Sequence, residues 1–171
     1  EVVGEWQPKN SSQDKIAGAV RLRQAIAQSL NLPAVKLISD LTPQTVADLA
    51  ARMGITSKLD PTPALALGAS AVSPLEMASA FGTIAAGGKR RSPSIIKRVT
   101  GPGGVDIPQV GRFPEQVVTE QEAYVVTSLL ESVIAEGTGT GAQSLGRPAA
   151  GKPGTSDAQR DAWFVGFTPD V

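Results

Sequence analysis

Ala150-Gly151-Lys152-Pro153-Gly154-Thr155-Ser156, followed after a short polar turn by Arg160-Asp161-Ala162-Trp163-Phe164-Val165-Gly166-Phe167, is the stretch on which the reading of the fold turns. Small residues lead to a lysine, then to Gly-Thr-Ser, and a second run is apolar and aromatic. This pattern predicts two antiparallel strands with a polar connection. The first strand carries a cation and hydroxyls along an accessible edge. Such an edge suits an anionic or peptide-like ligand, because its backbone amides are free to donate. A second short stretch, Ser29-Leu30-Asn31, sets a hydroxyl and a carboxamide two residues apart far earlier in the chain.

Composition limits the chemistry that these stretches can perform. The 171 residues suit one domain or a piece of one, and 41% of them are hydrophobic, enough for a core. Sixteen Lys and Arg balance sixteen Asp and Glu, so no basic excess points to nucleic acid. The one basic cluster, Lys89-Arg90-Arg91, follows Gly87-Gly88 and reads as a solvated turn. With no cysteine there is no thiolate chemistry, and with no histidine a Ser-His-Asp triad or a histidine-ligated metal site cannot be built. No cofactor or metal is expected. Acid–base work near neutral pH falls to a carboxylate, a lysine or a tyrosine of shifted pKa. No apolar run approaches the ~20 residues of a membrane helix, and no signal peptide is visible. The sequence opens without an initiator Met and is expected to be a segment of something longer.

Periodicity outlines a mainly helical body. Residues 1–15 read as a polar loop. Val20, Leu22, Ile26 and Leu30 suit one face of a helix over Ala17–Ser29, and Pro33 is expected to interrupt it. An apolar segment follows from Ala34 to Leu41. Thr42 then caps a helix with Pro43 at its first position, running through Val46, Leu49 and Met53 to Gly54. Residues 55–73 read as a loop. Ser73-Pro74-Leu75-Glu76 and Thr119-Glu120-Gln121-Glu122 are capping boxes, each opening a helix, and both glutamates read as caps only. A hairpin is expected for 94–107 around Gly101-Pro102-Gly103-Gly104. Tyr124, Val126, Leu129, Leu130, Val133 and Ile134 form the stripe of the second capped helix, with Tyr124 as a core aromatic. Gly137-Thr138-Gly139-Thr140-Gly141 reads as a flexible connection; it lacks the lysine and spacing of a phosphate loop. Trp163 and Phe164 read as core or strand packing, and Arg160-Asp161 as an ion pair in the turn.

Ser29-Leu30-Asn31 and Lys152-Pro153-Gly154-Thr155, in that order, resemble the second and third motifs of the active-site serine penicillin-binding proteins. The flanks are more specific than the motifs. Ala25 to Lys36, Leu67-Gly68-Ala69, Val72 to Ala78, Gly87-Gly88, Gly137 to Thr140 and Arg160 to Gly166 are similar, in one colinear order, to the transpeptidase domain of the class A, bifunctional members. The resemblance implies an α+β fold of the serine β-lactamase and D,D-peptidase kind, in which a helical part lies against part of an antiparallel sheet. The helical part would come from residues 17–89 and 119–146, and the sheet would end in the 149–167 hairpin.

It also implies a reaction. A serine in a Ser-x-x-Lys motif attacks the D-Ala-D-Ala end of a peptidoglycan stem peptide, and an amine from a neighbouring stem resolves the acyl-enzyme. β-Lactams are trapped at the acyl stage. Ser29 would relay a proton, Asn31 would hydrogen-bond the substrate backbone and help hold the lysine, and Lys152 would supply positive potential. Thr155 would bind the substrate carboxylate and give one oxyanion-hole N–H, within a substrate-binding edge formed by Pro153, Gly154, Thr155 and Ser156. The implied partners are stem peptides, β-lactams and the rest of a parent penicillin-binding protein. The implied location is the extracytoplasmic face of the bacterial membrane, in the periplasm or cell-wall space, with the anchor in a region outside this chain.

Two departures from the family pattern stand out. Ser12-Gln13-Asp14-Lys15 matches the bare Ser-x-x-Lys spacing but lies in a polar stretch too near Ser29, so the nucleophile is expected outside this chain. Residues 1–171 are accordingly expected to be a single partial transpeptidase domain, lacking that region and the last strand and helix, and inactive alone. The second departure is Pro153, where the family nearly always has Thr or Ser. Proline is tolerated where its missing N–H faces an open edge, so the strand is expected to survive. The other readings are a non-catalytic scaffold or ligand-binding domain of the same fold, and a D,D-carboxypeptidase or β-lactamase relative. The class A flanks argue against the last.

Overall fold

The computed structural model describes residues 6–10, 18–108, 113–156 and 161–170. Five α-helices and two small antiparallel sheets form it: α1 (Leu22–Ala27), α2 (Asn31–Leu41), α3 (Pro43–Arg52), α4 (Pro74–Ala85), β1 (Lys89–Arg90), β2 (Glu115–Gln116), α5 (Glu120–Glu136), β3 (Ala150–Thr155) and β4 (Ala162–Phe167). Single 3₁₀ turns lie at Pro63–Leu67, Pro102–Gly104 and Thr140–Leu145. The expected α+β arrangement of helices beside part of an antiparallel sheet is what forms.

Helix α5 is the centre of the packing, against α1, α4 and β3. Its buried face is Ala123, Leu130, Val133 and Ile134, with Val133 at 0% exposure. Removing each of the larger side chains from water stabilises the fold by ~1.5–3 kcal/mol. Tyr124 is 74% exposed and Val126 is exposed as well, so the apolar stripe is rotated from the expected one. Tyr124 sits one residue, about 100°, off the Ala123 face, which the small Ala123 lets its neighbours approach closely.

Both capping boxes form in full. Ser73 accepts from Glu76 N while Glu76 accepts from Ser73 N, and Thr119 and Glu122 do the same. Thr42 caps α3, accepting from Thr45 N at 3.4 Å, with Pro43 at the first position. Elsewhere the structure departs from the periodicity. Helix α1 is only six residues long; Gly18, at φ 109, and the residues up to Arg21 are outside it, and Ala17 lies outside the described residues. Proline 33 does not break the chain. It sits in the first turn of α2, where an N–H would have no intrahelical partner in any case.

The basic cluster is no simple turn. Lys89 and Arg90 pair with Gln116 and Glu115 as strands, and make exposed ion pairs with Glu120 at 3.3 Å and Glu115 at 3.9 Å. The expected hairpin at 94–107 reduces to one bridge, Thr100 with Asp106, beside an exposed Arg98–Asp106 ion pair at 2.6 Å. The C-terminal hairpin forms as expected. Six residue pairs join β3 to β4, from Ala150–Phe167 to Thr155–Ala162, and β3 packs on α5 while β4 packs on α4. Helical partners thus supply what an isolated two-stranded ribbon lacks. Trp163 and Phe164 are 39% and 48% exposed, not core. Phe164 lies across Gly151 and Gly166, close enough that a Cβ on either would fall 2.7 Å and 2.9 Å from its ring.

Candidate active site

Helix α1 ends two residues before Ser29, and the way it ends sets the site. Leu30 N donates to Ala25 O at 2.9 Å and Ser29 N to Ile26 O at 3.1 Å. This is the Schellman turn, whose central residue adopts the left-handed conformation and is usually glycine. Ser29 takes it at φ 54, at a cost of ~1–2 kcal/mol for a residue with a Cβ. Leu30, buried at 8%, is the apolar residue that the turn seats against the helix.

The turn is held from α5. Arg23 donates to Ser128 O and Ser132 Oγ at 2.6 Å each, and Gln28 Nε2 to Glu136 O at 3.1 Å. Thr138 N donates to Ala27 O at 2.9 Å. A Cβ at Gly137 would stand 2.2 Å from Ala27 O, so only glycine allows this approach. Residues 137–139 are therefore a packed brace and not a loose connection, while Gly141 has open space around it. Gln143 adds to it, donating to Ile134 O at 2.8 Å and Ala135 O at 2.9 Å, which satisfies the last carbonyls of α5.

Across this turn lies β3. Lys152 Nζ donates to Ser29 Oγ at 2.8 Å and to Pro153 O at 2.9 Å. No carboxylate pairs with the ammonium among the described residues. Burial lowers its pKa from the ordinary lysine value, because desolvation disfavours the charged form. An amine so placed exchanges a proton with a neighbouring hydroxyl more readily than a solvated lysine does.

Among the described residues no strand pairs with the other edge of β3, which is open beyond Lys152. Ser156 N donates to Asp161 O at 3.0 Å, which closes the ladder at its turn end. Ladder hydrogen bonds alternate along an antiparallel pair, so Gly154 and Lys152 face β4 while Thr155 and Pro153 face the open edge. Proline 153 therefore costs the ladder nothing, and β3 runs through it unbroken. What is missing is one N–H donor on the free edge.

Ser29, Asn31, Lys152, Pro153, Gly154 and Thr155 share one mainly apolar cavity of about 700 Å³. Asn31 Nδ2 donates to Lys9 O at 2.8 Å. Ser156 is outside the cavity lining and is engaged in the turn, its Oγ accepting from Asp161 N at 2.9 Å. Ser12–Lys15 and Arg160 lie outside the described residues. The sequence reading missed Arg23, Gln28 and Gly137, whose only signal was the glycine spacing, and it took Glu76 for a local cap. Among the described residues no group of His, Asp and Glu is placed to hold a metal ion, and no helix is long and apolar enough to cross a membrane.

Helices beneath an antiparallel hairpin, with a strand lysine donating to the serine of a helix break, define an α+β fold of the serine β-lactamase and D,D-peptidase kind. The chain belongs to the penicillin-binding protein transpeptidase domain family, whose model matches residues 2–171. It is 34% identical over 97% of its length to penicillin-binding protein 1A of Neisseria cinerea and 36% identical over 98% to that of Aquifex aeolicus. It spans only 22% and 23% of those relatives. Among solved structures, penicillin-binding protein 1A of Haemophilus influenzae superposes with a TM-score of 0.82 at 28% identity, over 95% of this chain and 30% of that one. The PonA1 protein of Mycobacterium tuberculosis, in complex with penicillin V, gives 0.76 at 25% identity over 94% and 48%.

Proposed function

We propose that the chain forms one side of the acyl-transfer cleft of a class A peptidoglycan D,D-transpeptidase, as a single partial domain whose serine nucleophile lies outside these residues. The hydrogen bond from Lys152 to Ser29, made across 123 positions of sequence, carries this reading. The nucleophile's oxygen attacks the carbonyl of the penultimate D-Ala. The C–N bond to the terminal D-Ala breaks, and the departing amine takes a proton. Ser29 stands to deliver that proton, with Lys152 behind it as the group that exchanges it; general acid–base transfer of this kind contributes ~10²–10⁴-fold. An amine of a neighbouring stem then attacks the ester carbon, the C–O bond to the nucleophile breaks, and the proton that the amine loses returns to the nucleophile's oxygen. Asn31 hydrogen-bonds the substrate backbone from the first turn of α2. The hydroxyl of Thr155 receives the substrate carboxylate, and its N–H, on the free edge, serves the oxyanion at ~3 kcal/mol. β-Lactams stop at the acyl stage. The protein works outside the cytoplasmic membrane, in the periplasm or cell-wall space, with stem peptides and the rest of its parent chain as partners.

Incubating the full-length protein with a fluorescent penicillin tests this. Covalent labelling is expected, slowed ~10²-fold or more by Lys152→Ala. An unlabelled wild type overturns the enzyme reading. It would leave a second one, a ligand-binding scaffold of the same fold, which the missing edge donor at Pro153 favours. Pro153→Thr returns an N–H and a hydroxyl to the edge and is expected to speed acylation; an unchanged rate removes the proline as a determinant.

A further inference from the structure

Glu76 does far more than cap a helix. It is 8% exposed, yet it makes no ion pair among the described residues. Five donors converge on it instead. Oε1 accepts from Thr56 N and Thr56 Oγ1 at 2.7 Å each and from Ser57 N at 2.6 Å. Oε2 accepts from Ser57 Oγ at 2.8 Å and Ser73 N at 2.7 Å. A buried carboxylate is tolerated only when so compensated, and the N-terminus of α4 adds its positive dipole.

The donors come from two places in the chain. Thr56 and Ser57 stand at the start of the segment joining α3 to α4, and Ser73 stands at its end. One carboxylate therefore ties the neck of a loop, residues 58–72, in the manner of an Ω-loop. Within that loop the backbone bonds are local, such as Leu65 N to Thr62 O at 3.0 Å and Gly68 N to Leu65 O at 3.1 Å. Asp60 N donates to Ser70 Oγ at 3.1 Å and closes it midway. Its 3₁₀ turn, Pro63–Leu67, packs on α2. Leu59, Leu65, Leu67 and Val72 of the loop line the same cavity as Ser29 and Lys152. They contribute an apolar wall to the cavity that β3 also lines.

We propose that Glu76 is a positioning residue of the cleft: by clasping the neck of the 58–72 loop it holds the apolar wall against which the non-reacting, apolar part of an acyl donor packs. This rests on the acyl-transfer reading above and adds to it a means of binding that does not touch the chemistry. Replacing one oxygen by NH₂ keeps the shape of the side chain. It also turns a donor toward the Ser73 N–H, which that atom can no longer accept, while the Ser57 hydroxyl has to turn from donor to acceptor. The neck opens while Lys152 and Ser29 keep their contact.

The test uses Glu76→Gln in the full-length protein with two readouts. In β-lactam acylation followed over a range of concentrations, the half-saturating concentration is expected to rise ~10-fold and the saturating rate to stay within ~2-fold, the sign of lost uniform binding. In amide hydrogen exchange, residues 55–73 are expected to lose protection while α5 keeps it. A folded variant with unchanged half-saturation overturns the positioning role, since a clasp serving stability alone would not leave the split. Unchanged exchange over 55–73 overturns the clasp itself. If the wild type fails to acylate, the acyl-transfer reading falls and the exchange arm alone decides on the clasp. Should Glu76→Gln not fold, Thr56→Val with Ser57→Ala removes two donors and leaves the capping box whole; a rise of ~3-fold supports the proposal and none refutes it.

Discussion

Helices α1 and α3 end on the same turn, built on different residues. In both, the residue after next donates five positions back, Leu30 to Ala25 and Ile55 to Ala50, and that residue is buried. In both, the central residue has positive φ: Gly54 at 112 after α3, and Ser29 at 54 after α1. The turn after α4 repeats the pattern on Gly87 at φ 64. Glycine serves where the turn only has to reverse the chain. Serine stands where the turn also aims a hydroxyl, which Lys152 meets at 2.8 Å. Among these three turns the one built without glycine stands where the chemistry is proposed to occur; the other positive φ on a residue with a Cβ, Thr42 at 71, belongs to the cap between α2 and α3.

Ser29→Gly sharpens this contrast most. Glycine removes the steric cost of the left-handed residue, so the midpoint of thermal unfolding is expected to rise by ~2–4 °C. The same change deletes the oxygen that accepts from Lys152, and penicillin acylation is expected to fall by ~10²-fold or more. A variant that is both less stable and fully active would break the comparison. The converse change, Gly54→Ala, places a Cβ 2.3 Å from Ser79 Oγ as well as forcing an unfavourable φ. It is expected to lower the unfolding midpoint by ~5–10 °C, with the acylation rate of the folded protein unchanged. Equal damage to activity at both turns would show that the two are not specialised.

The pair of turns also shows what the sequence could convey. Caps were legible because their signal is local: Thr42 with Pro43, Ser73 with Glu76 and Thr119 with Glu122 each satisfy donors within one turn of helix. The hairpin was legible through a run of small residues and an apolar, aromatic run on either side of a polar turn, and the approach of Ser29 to Lys152 through the family motifs that carry them. The cause of the break after α1 was misread, because Pro33 is an obvious punctuator while a left-handed serine has no signature of its own. Tyr124 was misplaced because a 3.6-residue period fits two adjacent faces, and packing against α1, α4 and β3 chose the one with Ala123. The brace of Arg23, Gln28 and Gly137 depends on contacts more than a hundred positions apart, which no local pattern carries.

A second like pair, the two capping boxes, extends the comparison to smaller effects. Both glutamates are held below the usual carboxylate range. For Glu76 the largest cause is donation by Ser73 N, then by Thr56 and Ser57; for Glu122 it is donation by Thr119 N, then by its hydroxyl. A carboxyl whose pKa is lowered by folding contributes stability that is present above its unfolded value of ~4.3 and lost as pH falls through the folded value. Denaturant unfolding between pH 7 and pH 3 is therefore expected to show stability falling below about pH 4.5. Glu76→Gln should flatten that fall, and Glu122→Gln should flatten it less. Equal slopes for the two variants would mean that the loop donors at Glu76 add nothing to the cap.

The smallest effect is expected at neutral pH from Glu122→Gln. Among the described residues only Thr119 donates to this carboxylate, through N at 2.7 Å and Oγ1 at 2.8 Å, both to Oε2. A carboxamide oxygen turned to the same position accepts both, and the exposed NH₂ meets water instead of buried donors. The reciprocal bond from Glu122 N to Thr119 Oγ1 survives as well. The unfolding midpoint should fall by no more than ~2 °C, against on the order of 10 °C for Glu76→Gln, whose buried amide must face the Ser73 N–H and turn the Ser57 hydroxyl round. A fall at Glu122 as large as that at Glu76 would show that the four-residue cap sets the stability of both helices. The loop tied to Glu76 would then be a passenger of α4.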